Sequence, residues 1–113
     1  MNLSELSARL GLVTVTGGTE GKIWDGVYAG DLLSRAMSHV RYDNLWITIM
    51  TNANVIAVAS LTEAAAVILA EGVELLPEAR EAAEENGITV LSSEKTAYEL
   101  CAAIAEAVRL ADK

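Results

Sequence analysis

The chain has 113 residues, of which 52% are hydrophobic and 21% are charged, with a single proline. This length allows one domain, and the apolar content is too high for an intrinsically disordered protein. The formal net charge is −8, and residues 63–113 carry eleven acidic against four basic side chains. An acidic surface repels phosphate backbones and anionic headgroups, so we expect neither a nucleic-acid nor a membrane partner.

The sequence also limits the compartment. Cys101 is the only cysteine, so an internal disulfide is excluded. The amino terminus is typical of an amphipathic helix rather than of a signal peptide. The longest charge-free apolar run, residues 55–62, is too short to span a bilayer. We therefore expect a cytoplasmic protein.

The first 43 residues predict two helices and two strands. Asn2 begins a helix that ends at Gly11, and β-branched residues then predict a strand over 12–16. A second strand is predicted over 23–29, with Gly26 as its weak point. Asp31 is the expected cap of a helix that extends to about His39. We expect both of these strands to lie at an edge of the sheet.

From residue 44 onward, strands alternate with helices. The predicted strands are 45–50, 65–69 and 88–91. The predicted helices are 54–61, Pro77 to Gly87, and a last helix capped by Ser92 or Ser93. This alternation is typical of an α/β protein with crossover helices. We predict a single three-layer α/β domain over residues 1–113, with a mostly parallel sheet of about five strands.

Residues suited to catalysis are few and separated. A zinc site needs several nitrogen or sulfur ligands, whereas His39 is the only histidine. Cys101 lies on the apolar stripe of the last helix, where an inert thiol is expected. Glu84 and Glu85 lie on a solvated helical face. We therefore predict that the chain is not an enzyme and holds neither a metal nor a cofactor.

A glycine-rich segment over residues 16–21 matches no phosphate-binding motif. It lacks the Gly-Lys-Ser/Thr of a Walker loop, and a strand rather than a helix follows it. We interpret it as a connection between strands.

The segment Thr51–Asn54 is the better ligand-binding candidate. It follows a buried strand and opens a helix, and open α/β sheets bind ligands at that edge. Helix amino termini offer free N–H groups to anions, although Asn52 or Asn54 can instead cap the helix. Glu71 at the same edge would disfavour a phosphate. The candidate ligand-binding residues are Thr51, Asn52, Asn54, Gly72, Ser92 and Ser93.

Two aromatic side chains of the predicted second strand have two interpretations. Trp24 and Tyr28 can belong either to the core or to an interface. Trp46, in the central strand, is expected in the core.

Two segments carry a resemblance to a known family. Residues 26–34 (GVYAGDLLS) and 44–60 (NLWITIMTNANVIAVAS) resemble the DRTGG domain family. That family is similar to the N-terminal domain of HPr kinase/phosphorylase, and it also occurs inside some phosphotransacetylases and between the CBS domains of some pyrophosphatases. Free-standing members are often encoded near hydrogenase-like subunits. The resemblance implies a regulatory or assembly domain that forms homodimers and lacks the kinase chemistry of the separate catalytic domain.

The residues that give the family its name differ in this chain. Many members carry Gly-Asp-Arg after the central strand and Thr-Gly-Gly after the next. This chain has Asn52-Ala53-Asn54 and Ala70-Glu71-Gly72 at those places. The difference removes an arginine that could bind an anion.

Two hypotheses follow. The first is a non-catalytic regulatory domain that homodimerises, with Trp24 and Tyr28 as candidate interface residues, and docks to a larger metabolic or redox enzyme. The alternative is a sensor of a small anionic ligand, such as a nucleotide, at the strand-end edge.

Overall fold

The computed structural model describes residues 1–112. Its helices are α1 (Leu3–Leu10), α2 (Leu33–His39), α3 (Ala53–Thr62), α4 (Pro77–Asn86) and α5 (Ala97–Ala111). Its strands are β1 (Val13–Thr16), β2 (Val27–Ala29), β3 (Leu45–Thr48), β4 (Ala66–Leu69) and β5 (Val90–Ser92). None of the helices over residues 1–112 is long and apolar enough to cross a membrane.

The strands form one sheet in the order β1-β5-β4-β3-β2. β2, β3, β4 and β5 are parallel, and β1 pairs antiparallel with β5. The prediction of a mostly parallel α/β sheet of five strands is therefore confirmed. The two amino-terminal strands occupy opposite edges, however, and not a single edge.

The connection between those two edges explains this placement. Because β1 is antiparallel to its neighbour, residues 17–26 leave it at the amino end of the parallel strands and run along that end. The Lys22 Nζ donates to the carbonyl of Ala65 at 3.4 Å. The backbone N–H of Asp25 donates to the carbonyl of Asp43 at 2.8 Å. These contacts bring the chain across the sheet to the far edge of β3.

Helices cover both faces of the sheet. On one face, α2, α3 and α4 pack around Trp46, which is fully buried and donates from its Nε1 to the Gly30 carbonyl at 3.0 Å. On the other face, α1 and α5 pack on Leu45 and Ile47. Neighbouring residues of β3 face opposite sides, and both sides are buried, which is why this strand has an almost wholly apolar sequence.

Several predicted boundaries differ from the structure. The strands predicted over 45–50 and 88–91 form over Leu45–Thr48 and Val90–Ser92, and three further differences have an identifiable cause. The second strand forms only over Val27–Ala29, because Gly26 has a left-handed φ of 78° and the Asn44 side chain binds the Asp25 carbonyl at 2.6 Å. The last helix is capped by Thr96 and not by Ser92 or Ser93, because Thr96 and Glu99 form a reciprocal capping box. The helix after β2 begins one residue beyond Leu32, so Asp31 is not its cap.

Candidate functional site

The four parallel strands end at one edge of the sheet, and the segments that follow them form a surface that we call the carboxyl rim. It consists of residues 30–32, 49–52, 70–72 and 93–96. Parallel strands place their carboxyl ends together, so this edge unites turns that are far apart in sequence. The predicted candidates Thr51, Asn52, Gly72 and Ser93 lie on the rim, Ser92 is the last residue of β5, and Asn54 lies in the first turn of α3.

The start of α3 uses its asparagine for its own backbone. The side-chain oxygen of Asn52 accepts from the N–H of Asn54 at 3.0 Å. The backbone carbonyl of Asn52 accepts from the N–H of Val55 at 3.1 Å. Asn52 is therefore the cap of α3. The Thr51 carbonyl accepts from the N–H of Leu76 at 3.1 Å, which holds this turn against the start of α4.

The turns after β4 and β5 bind each other. The N–H of Gly72 donates to the Ser93 carbonyl at 2.9 Å, and the N–H of Glu71 donates to the Lys95 carbonyl at 2.8 Å. Glu71 and Gly72 both have left-handed backbones, with φ of 60° and 67°. A side chain on Gly72 would meet the carboxylate of Glu94. Glycine fits this position because its backbone is left-handed and a carboxylate occupies the space of a Cβ.

Asp31 was predicted as a helix cap, and the structure gives it a different role. Its Oδ1 accepts from the Thr48 hydroxyl at 2.8 Å and from the N–H of Ile49 at 3.0 Å. The aspartate therefore joins the end of β2 to the end of β3. A signal in the sequence was its position two residues after a predicted strand, which places the carboxylate at the edge where the next parallel strand also ends.

The charges on the rim are mostly negative. Asp31, Glu71 and Glu94 contribute carboxylates, while Lys95 contributes an ammonium group. The Glu94 carboxylate lies beside Gly72, where an anion would approach the backbone. The rim therefore collects the predicted residues but surrounds them with groups that repel an anion.

Trp24 and Tyr28 lie on opposite faces of the sheet. Trp24 packs against the cluster under α1 and α5, and its buried Nε1 has no hydrogen-bond partner among residues 1–112. Tyr28 packs against the cluster under α2 and stacks on His39, with ring centroids 6.2 Å apart. The two side chains are half-buried and do not form one shared patch.

An apolar groove adjoins Trp24 and was not foreseen from the sequence. It has a volume of about 610 Å³ and lies between α5 and the segment that leads into β2. Its apolar lining includes Met1, Trp24, Val27, Cys101, Ile104 and Val108. The residues on its two sides are about 75 positions apart in the chain, so no local pattern could have predicted it.

Three large apolar side chains are exposed on the surface formed by α2 and the residues beside it. Leu32, Met37 and Tyr42 expose 61%, 51% and 67% of their area. Residues 32–42 contain Arg35 and Arg41 and no acidic residue, in contrast to the acidic charge of the whole chain. This surface lies on the face of the sheet opposite the groove.

Two carboxylates whose pKa values are lowered lie on the outer surface of α5. Hydrogen bonds from the backbone and hydroxyl of Thr96 hold the pKa of Glu99 below its ordinary value. The guanidinium of Arg109 lowers the pKa of Glu106. Both groups are exposed and serve their own helix, so neither lies in a cleft as a catalytic acid or base would.

The fold and the rim define an α/β domain whose polar edge groups mainly bind its own backbone. Comparison with known proteins identifies which such domain it is. The sequence model of the DRTGG domain matches residues 6–107. The chain therefore belongs to the DRTGG domain family, as the resemblance of residues 26–34 and 44–60 predicted.

One solved structure with this fold is a crystal structure of the CBS and DRTGG domains of the regulatory region of Clostridium perfringens pyrophosphatase, complexed with its activator diadenosine tetraphosphate. The similarity has a TM-score of 0.76 at 18% sequence identity. It covers 91% of this chain and 45% of the other, so this chain spans less than half of its neighbour's length. No curated protein sequence matches the chain.

Proposed function

We propose that the chain is a non-catalytic regulatory domain of the cytoplasm that forms a homodimer and docks to a larger metabolic or redox enzyme. Membership of the DRTGG family is the observation that carries this proposal. The neighbouring structure adds support, because there a DRTGG domain belongs to the regulatory region of an enzyme rather than to its catalytic part.

The contacts of the reactive side chains support a non-catalytic role. The His39 Nδ1 lies 2.9 Å from the Arg35 carbonyl and 2.9 Å from the Ser38 hydroxyl, all within α2 or its last turn. Cys101 is half-buried on α5, on the other face of the sheet. A histidine and a thiol on opposite faces cannot act as a base and its nucleophile.

The surface around α2 suits the homodimer better than the aromatic pair does. Trp24 and Tyr28 contribute much of their area to the protein's own core. Leu32, Met37 and Tyr42 are exposed, and no carboxylate lies between them in sequence. Two copies that meet here keep most of their acidic residues apart, which lowers the electrostatic repulsion between them.

Light scattering coupled to size-exclusion chromatography, at two protein concentrations, tests the homodimer. We expect a mass of twice 11.9 kDa. Met37→Glu should shift the mass to that of a monomer, because it places a charge in an apolar contact. Leu110→Glu on α5 is the matched control and should leave the dimer intact. A monomer at high micromolar concentration would refute the homodimer.

A second candidate function is the sensing of a small anion such as a nucleotide. The observation that favours it is the meeting of the α3 amino terminus, Gly72 and Ser93 on one edge of the sheet. Thermal unfolding with nucleotides and phosphorylated metabolites tests it, because a ligand at ~100 times its dissociation constant stabilises by about 2.7 kcal/mol. Glu94→Gln should strengthen such binding by removing a carboxylate. An unchanged melting temperature throughout the panel would reject this candidate.

A further inference from the structure

The outer edge of β2 offers unused backbone groups. Within the sheet, Gly26 accepts from the N–H of Leu45 at 3.0 Å, and Gly30 donates to the Ile47 carbonyl at 3.1 Å. Alternate residues of a parallel strand bond the same neighbour, so Val27 and Ala29 direct their N–H and C=O groups away from β3. Both residues are exposed, and among residues 1–112 no side chain or loop binds those groups.

The opposite edge of the sheet is protected. The Arg80 Nη1 donates to the Val15 carbonyl of β1 at 3.2 Å. The pairing of β1 with β5 is also irregular between Thr14 and Thr16. Arginine cover and a bulge are two ways in which proteins block an edge strand. β2 has neither, nor does it contain a charged residue or a proline.

The apolar groove lies directly beside the open edge. Val27 belongs both to β2 and to the groove wall, and Ile104 and Val108 of α5 form the facing wall. A groove between an edge strand and a helix is the geometry in which an extended peptide adds a strand and inserts alternate side chains beside the helix.

The charges beside the groove favour a cationic occupant. Among residues 1–112, the charged side chains that line it are those of Asp25 and Asp112. Lys22 does not line the groove, and its ammonium group donates to the Ala65 carbonyl at 3.4 Å. A second copy of this chain would bring a net charge of −8 and a further Asp25 to the same place. Like charges at such a contact are costly, so charge complementarity disfavours a second copy here.

We infer that the open edge of β2 and the adjoining groove receive an extended segment of a partner protein in which apolar residues alternate with lysine or arginine. The segment pairs its backbone with Val27 and Ala29, places apolar side chains between β2 and α5, and places its cations beside Asp25. The inference rests on the proposed function, since it specifies the surface through which the domain docks. The groove lies on the opposite face of the sheet from the proposed dimer surface at α2.

A titration followed by NMR of the ¹⁵N-labelled full chain tests this inference. The probes are a synthetic peptide in which lysine alternates with leucine and a matched peptide in which glutamate replaces lysine. We expect the lysine peptide to shift the amide signals of Val27 and Ala29 and to slow their hydrogen exchange. The glutamate peptide should bind at least about tenfold more weakly.

Three variants separate the backbone contribution from the charge contribution. Ala29→Pro removes an outward N–H and should weaken the lysine peptide at least about tenfold, while the pairing with β3 remains. Asp25→Lys should weaken the lysine peptide and strengthen the glutamate peptide. Glu84→Lys, the same charge change on α4, should alter neither affinity by more than about twofold. Since the two key variants act through different groups, a folding defect in one leaves the other as a test.

Several outcomes would overturn the inference. They are equal affinity for the two peptides, binding unaffected by Asp25→Lys, and shifts confined to another surface. Slow, concentration-dependent exchange of the Val27 and Ala29 amides without peptide would assign the edge to a second copy instead. The homodimer is measured separately by light scattering with Met37→Glu, so either proposal can fail while the other stands.

Discussion

The carboxylate of Asp31 accepts a hydrogen bond from the hydroxyl of Thr48 at 2.8 Å, and this contact joins the ends of two neighbouring strands. Thr48 is only 1% exposed, whereas Asp31 is exposed. The same carboxylate oxygen also accepts from the N–H of Ile49. One side chain thus satisfies a buried hydroxyl and a backbone donor at the edge where β2 meets β3.

Removal of this carboxylate should destabilise the fold. We expect Asp31→Ala to lower the free energy of unfolding by about 2 kcal/mol, because the buried hydroxyl of Thr48 loses its acceptor. Asp31→Asn keeps an oxygen at that position and should lose less. Urea unfolding measures both, with Glu20→Ala as the control for loss of a surface charge. Equal effects of Asp31→Ala and Glu20→Ala would contradict the role of Asp31.

Gly72 should not tolerate a side chain. Its φ of 67° costs a non-glycine residue about 1 kcal/mol or more, and a Cβ there would displace the Glu94 carboxylate. We expect Gly72→Ala to lower the free energy of unfolding by about 1–2 kcal/mol. Gly18→Ala is the matched control, because nothing lies within 4 Å of its Cβ position. If addition of Glu94→Ala restores no stability, the cost of Gly72→Ala lies in the backbone alone.

The element types were predictable because they depend on local patterns. The apolar residues 45–48 specified a strand buried on both faces, and Asn2 with Glu5 specified a helix start. The glycine after each of α1 and α4 has the left-handed backbone that ends a helix. Each of these features is decided by neighbours a few positions away.

The edge positions and the groove were not predictable because they depend on distant contacts. No property of residues 12–16 indicates whether β1 joins β5 or β2, since the choice depends on the packing of the whole sheet. The shortening of the second strand results from the Asn44 side chain, which binds the Asp25 carbonyl from 19 positions away. The alternation of strands and helices predicted that the candidate ligand-binding residues share one edge of the sheet. It did not predict that the carboxylate of Glu94 lies beside Gly72.

Substitutions at Thr96 and Ser93 can show which residue caps α5. The Thr96 hydroxyl accepts from the N–H of Glu99 at 3.2 Å. The predicted caps were Ser92 or Ser93, and the hydroxyl of Ser93 accepts instead from the N–H of Lys95, before the helix begins. Thr96→Ala should lower the free energy of unfolding by about 1 kcal/mol, and Thr96→Ser should lower it by much less. Ser93→Ala should have a smaller effect than Thr96→Ala. The reverse order in urea unfolding would restore the serine as the cap.

The same capping box predicts a dependence on pH. Hydrogen bonds from Thr96 hold the pKa of Glu99 below its ordinary value of 4.5, so the folded chain binds this proton less readily than the unfolded chain does. The stabilisation is complete above pH 4.5 and disappears as the pH falls through the lower pKa of the folded state. Glu99→Gln keeps a capping side chain that does not titrate. We expect the loss of stability in acid to be smaller in Glu99→Gln, as measured by urea unfolding between neutral pH and pH ~3.

Arg80 should protect β1 from association with other chains. Its guanidinium donates to the Val15 carbonyl, and Val13, two residues earlier on the same strand, exposes 64% of its area. An uncovered edge strand with an exposed apolar residue is a template for pairing between molecules. We therefore expect Arg80→Ala to cause association that increases with concentration, whereas Arg80→Lys, which keeps a cation on α4, should cause less. Light scattering measures this, with Arg9→Ala as the control for loss of a surface arginine. If the Arg80→Ala and Arg9→Ala variants have the same mass at every concentration, Arg80 does not protect this edge. The irregular pairing of β1 would then be the feature that blocks it, a feature that β2 lacks.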